Sequence, residues 1–98
     1  MQTDKEKIIS YAAGLTNYFR RYAENQNEQA RSFEWNLGLF MANQLLRIAQ
    51  SENPDLEELK LLIKVLEEGE RDFGSGWFDM TLQARYLLKF YNQNLSKR

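Results

Sequence analysis

Apolar residues return at steps of three and four along almost the whole chain, the spacing of one face of an α-helix. In the first stretch the stripe is Ile8, Ala12, Leu15, Phe19 and Tyr22, flanked by Tyr11 and Tyr18. Its steps follow the seven-residue a/d pattern that packs helix on helix. Thr3-Asp4-Lys5-Glu6 reads as a capping box, the Thr3 hydroxyl accepting from the Glu6 amide and the Glu6 carboxylate returning to Thr3. Asn25-Gln26-Asn27 interrupts the pattern, and Asn25 with Glu28 offers a cap for a second helix. The spacing leaves open whether a full turn or only a kink separates the two.

The second helix is apolar round most of its circumference. Phe33, Leu37, Phe40, Met41, Leu45 and Ile48 make one broad face, and Trp35, Leu39, Ala42, Leu46 and Ala49 extend it. Only Asn36, Asn43, Arg47 and Gln50 form a polar strip, so the helix is expected in the middle of its bundle or in an interface. Glu34 and Gln44 fall inside the apolar arc. A buried Glu34 needs a cation, for which Arg85 and Arg20 are the candidates.

Asn53 as N-cap and Pro54 at the first helical position predict the start of the third helix. Its stripe is Leu56, Leu59, Leu62, Ile63 and Leu66, reaching Phe73, and Lys64/Glu68 and Glu67/Arg71 are its expected ion pairs. Leu61 and Val65 lie outside the stripe among acids, as a second exposed patch. Gly74-Ser75-Gly76 closes this helix and opens the last.

The last helix carries two apolar rows. Trp77, Met80, Ala84, Leu87, Leu88, Tyr91 and Leu95 lie within about 50° of one line at 100° per residue. Phe78, Leu82, Tyr86 and Phe90 climb the far side, from about 100° to about 220° away from Trp77. A small surface helix needs only one apolar stripe. Either this helix is central to the fold, or one face is kept for a partner. The pattern as a whole predicts a single all-α, four-helix bundle-like domain, with helices at about 4–24, 28–50, 54–72 and 77–94.

Composition narrows the chemistry. The 98 residues contain no cysteine and no histidine, which removes disulfides, thiolate sites, the imidazole base and most zinc or iron ligation. A metal site would need oxygen ligands alone, and the acids lie mostly outside the stripes, so no metal and no cofactor are expected. Glu67 and Glu68 are adjacent and point about 100° apart, unlike a catalytic carboxylate pair. Gly74-Ser75-Gly76 lacks the length and the lysine of a phosphate loop. Catalytic residues and a small-molecule substrate are therefore not expected. After Met1 the chain reads Gln-Thr-Asp-Lys-Glu-Lys, unlike a secretory leader, and the uncharged run from Trp35 to Leu46 is too short to span a bilayer. A cytoplasmic protein with no membrane contact is the expectation.

The net charge of −1 hides an uneven distribution. Residues 52–72 carry eight acids against three bases, while the remainder has a surplus of four bases. Basic residues also stand near aromatics: Arg20 and Arg21 beside Tyr18 and Tyr22, and Arg85 and Lys89 beside Tyr86. Such pairs suit phosphate contact with base stacking, while the surplus apolar rows suit a protein interface. The expected partner-binding residues are Phe78, Leu82, Tyr86, Phe90, Leu61 and Val65. The expected nucleic-acid contacts are Arg20, Arg21, Arg47, Arg85 and Lys89.

The run from Ser32 to Gln50, with its aromatic residues, Leu37-Gly38 and two turns of small residues and leucine, resembles one family. It is similar to a helix in the C-terminal helical domains of large subunits of CRISPR interference complexes, which also occur as separate small subunits. The resemblance covers about nineteen residues and implies a non-catalytic helical subunit contacting neighbouring proteins and the nucleic-acid backbone. The acidic third helix departs from the more basic surface expected of such a subunit. The leading expectation is thus a small subunit of a prokaryotic nucleoprotein complex of the CRISPR surveillance type. The alternative is a stand-alone protein-binding module, such as a phage-encoded inhibitor or a bacterial immunity protein, docking through the Phe78 row. Self-association through that row comes third.

Overall fold

The computed structural model describes residues 4–24 and 32–95. It contains four helices: α1 (Asp4–Ala23), α2 (Ser32–Gln50), α3 (Leu56–Phe73) and α4 (Ser75–Leu95). The all-α, four-helix bundle-like fold expected from the periodicity is the fold observed. Successive helices reverse direction. Tyr22 stacks on Trp35 with centroids 4.6 Å apart, while at the other end Lys5 Nζ donates to the Ser51 carbonyl at 2.9 Å. A full reversal therefore separates α1 from α2, not a kink. The Thr3 cap and the Asn25/Glu28 cap lie outside the described residues.

The helices form an elongated bundle, 51 × 28 × 19 Å. α1 packs most extensively on α2, and α3 on α4, so the bundle is two tight pairs. The α1–α4 seam is looser, and the α2–α3 seam is looser still. α1 and α3 do not meet, which places those two seams on opposite sides of the bundle.

Each tight pair closes on a glycine. A Cβ at Gly38 of α2 would run into the ring of Phe19 of α1. A Cβ at Gly69 of α3 would likewise enter the six-membered ring of Trp77. Gly76 of α4 covers the tip of the Phe19 ring, its Cβ position 3.1 Å from Cζ. Without side chains at these points, the helices approach closely enough to bury Phe19 and Trp77 almost completely. The two rings meet edge to face at 6.3 Å, and Trp35 lies 6.0 Å from Phe19. This aromatic hub is where α1, α2 and α4 converge.

The helix boundaries refine the sequence reading. Asp55, not Asn53, caps α3: its carboxylate accepts from the amides of Glu57 at 3.0 Å and Glu58 at 3.3 Å. A charged cap there also complements the helix N-terminus, and Pro54 is left just outside. Between α3 and α4 there is one residue, Gly74, at φ 96°, a conformation that favours glycine. Ser75 and Gly76 already belong to α4, so Gly76 serves packing and not the turn.

The two buried threonines are satisfied locally. Thr16 and Thr81 donate to the carbonyls four residues back, Ala12 at 3.0 Å and Trp77 at 2.9 Å. The Tyr91 hydroxyl donates to the carbonyls of Ile48 and Ser51 at 3.3 and 3.2 Å, and Lys5 lies over the Tyr91 ring at 5.4 Å. α4 and α1 thereby cap the C-terminal end of α2 with a donor and a cation. Gln44, polar within the apolar arc, accepts from Arg47 at 3.1 and 2.9 Å.

Candidate functional site

The loose α2–α3 seam leaves four large apolar side chains exposed. In α2, residues 33, 37, 40 and 44 share a face by helical spacing, and in α3 residues 61 and 65 do so. Phe33 is 74% exposed, Phe40 57%, Leu61 63% and Val65 45%. Phe33 and Phe40 thus lie outside the core, contrary to their place in the broad apolar face of α2. The hub explains why: α2 turns Gly38, Ala42 and Leu45 inward against the other helices, which carries Phe40 outward. Between the helices runs a groove of ≈ 390 Å³, lined by Phe40, Met41, Ile48, Leu61, Leu62 and Val65. Gln44 and Glu58 close one end, where Arg47 pairs with Glu58.

The opposite seam differs in chemistry. Between α1 and α4 two adjoining hollows, ≈ 640 and ≈ 440 Å³, share Lys7 and Tyr11. Tyr18 and Asp79 line the first; Tyr86, Lys89 and Phe90 line the second. This seam is aromatic but mixed in charge, with tyrosine hydroxyls as handles for hydrogen bonds.

The expected partner-binding residues divide between these places. Leu61 and Val65 line the α2–α3 groove. Phe78 and Tyr86 are exposed, whereas Leu82 and Phe90 are half-buried, and Phe90 packs against the core. The second row of α4 is therefore no continuous free face. It winds round the helix, with Phe90 packed on the core and Leu82 only half-buried. The expected stripe of the same helix is deeply buried at Trp77, Met80, Ala84, Leu87 and Tyr91.

The expected basic residues are dispersed. Arg20 and Arg21 end α1, and Arg20 donates to Asn17 Oδ1 at 3.0 Å. Arg47 pairs with Glu58. Arg85 reaches Glu67 of α3 at 3.0 Å, so Glu67 turns to α4, while Arg71 lies by Asp72 at 3.7 Å. Lys89 lies beside Arg85, at a hollow that also takes Leu88 and Ile63. The acids of α3 thus neutralise two of the five. Each of these pairs is about half exposed and contributes at most about 1 kcal/mol.

Among the described residues, no group of three acids comes together to hold a metal, and no helix is long and apolar enough to cross a membrane. The chain matches no family model, no curated protein and no solved structure.

Proposed function

We propose that this protein is a non-catalytic helical binding module that docks another protein on the groove between α2 and α3. One observation carries the reading: four large apolar side chains, Phe33, Phe40, Leu61 and Val65, stand exposed on one side of the bundle. Small domains rarely expose such a set without use, and interface centres are built from it. The α1–α4 seam, with Tyr11 and Tyr86, is a secondary surface on the opposite side.

This reading takes precedence over the nucleoprotein small subunit. The Leu37-Gly38 feature behind that resemblance has an internal use here, since Gly38 admits Phe19. Arg47 and Arg85, two of its proposed backbone contacts, are held by carboxylates. A small subunit remains one setting in which such a docking module works, with Arg20, Arg21 and Lys89 as its nucleic-acid contacts.

The test is capture from the native host with the wild-type protein and with Leu61→Ser/Val65→Ser, analysed for protein and nucleic acid. Loss of a stoichiometric protein partner in the double variant, with the helical circular-dichroism signal retained, is the expected outcome. Undiminished capture by the folded variant would refute the assignment, and recovery of a discrete RNA that depends on Arg20 and Arg21 would favour the small subunit.

A further inference from the structure

The charges around the α2–α3 groove say what kind of surface fits it. At 100° per residue, Glu57, Glu58, Glu68 and Asp72 lie within about 60° of the Leu61–Val65 line on α3. The three bases of that helix, Lys60, Lys64 and Arg71, are turned about 80° or more away from the line. Across the groove, α2 presents Phe33, Asn36, Leu37, Phe40 and Gln44 with a single charge, Arg47, already held by Glu58 and Gln44. One bank is acidic and the other neutral, with an apolar floor between them. Glu57–Lys60 and Arg71–Asp72, at 3.3 and 3.7 Å, are exposed pairs that a competing cation can displace.

We infer that the groove receives an amphipathic helix of a partner protein, apolar on its seated face and basic along the one edge that lies against α3. This deepens the docking function proposed above and rests on it. A second copy of this chain is the poorer occupant. Two copies joined symmetrically with α3 against α3 would bring the same acids together. With α3 against α2 the acids would meet a bank whose single charge, Arg47, is already held, so neither arrangement gains charge attraction. A basic partner instead gains attraction during approach and meets apolar surface on arrival.

The probe is a synthetic helical peptide of about five turns, with leucines at i, i+3, i+4 and i+7 and lysines along one edge. Its twin carries glutamates in place of the lysines. Fluorescence anisotropy against the full chain should show the lysine peptide binding at least about tenfold more tightly than its twin, with the gap narrowing in high salt. Glu57→Lys/Glu68→Lys should reverse that preference. Leu61→Ser/Val65→Ser, which leaves every acid in place, should remove binding of the lysine peptide. Equal affinity for the two peptides overturns the inference. So does binding that survives Leu61→Ser/Val65→Ser, since that is charge attraction without a seat. Capture from the host separates the two levels of the argument. A partner lost with Leu61→Ser/Val65→Ser but kept by Glu57→Lys/Glu68→Lys leaves docking intact and sinks the basic helix, whereas a partner kept by both sinks docking itself.

Discussion

Phe19 and Phe40 are the same side chain in two helices that both face a neighbour, yet one is fully buried and the other more than half exposed. The difference lies in what stands opposite. Phe19 meets Gly38 and Gly76, so α2 and α4 close round its ring. Phe40 meets Leu61 and Val65 across the α2–α3 seam, where no glycine lets the backbones approach. The first arrangement makes a core; the second leaves a groove. Hydrophobicity alone does not decide which residues hold this bundle together. Helix separation decides it, and small residues set the separation.

The largest expected effect comes from emptying the hub. Phe19→Ala should destabilise the fold by about 3–5 kcal/mol, as large-to-small changes at buried aromatics do. For a domain of this size that approaches the whole stability, and urea denaturation would register it as a collapsed or absent transition. Phe40→Ala, the matching change in the groove, should cost under about 1 kcal/mol. Equal losses at the two positions would erase the distinction drawn above.

Filling the close approach is the next test. Gly69→Ala gains helix propensity of about 1 kcal/mol but drives a methyl into Trp77. Overpacking of that kind costs about 1–3 kcal/mol, so a net loss is expected in thermal unfolding, with altered tryptophan fluorescence. Gly14 offers the control. Its Cβ position is open and its helix is otherwise regular, so Gly14→Ala should be neutral or stabilising by about 0.5–1 kcal/mol.

Much of this was legible in the sequence, and the misses share a cause. The stripes of α1, α3 and α4 are buried nearly as periodicity predicts, from Ile8, Ala12, Leu15 and Phe19 to Trp77, Met80, Ala84 and Leu87. Leu61 and Val65 stood out because a narrow stripe left them over. Periodicity failed on α2, where almost every position is apolar and the pattern carries no direction. There Phe33 and Phe40 fall outside the core because of how α2 sits on α1, a tertiary fact. The same holds for the α4 row: a four-residue step drifts by about 40° each time and returns Phe90 toward the core, whereas the half-burial of Leu82 between exposed Phe78 and Tyr86 is a tertiary fact that the drift does not give. Gly76 reads in the sequence as part of a turn, and only the three-dimensional contact with Phe19 gives it its use, as contact with Trp77 does for Gly69.

A smaller effect probes the closed end of the groove. Tyr91→Phe removes the donor shared by the Ile48 and Ser51 carbonyls and should cost about 1 kcal/mol, visible as a lowered melting temperature. It should leave peptide binding in the α2–α3 groove unchanged. Loss of binding would tie the groove's shape to this capping contact.

The most direct test of the account is urea denaturation of Leu61→Ser/Val65→Ser beside the wild type and Leu62→Ala. Leu62 forms part of the groove floor on the same helix but, unlike Leu61 and Val65, is buried in the core. The account predicts that the double variant unfolds within about 1 kcal/mol of wild type, while Leu62→Ala loses about 2–5 kcal/mol. A loss in the double variant as large as that of Leu62→Ala would mean that the groove residues are core, and the surface assigned to a partner would not exist.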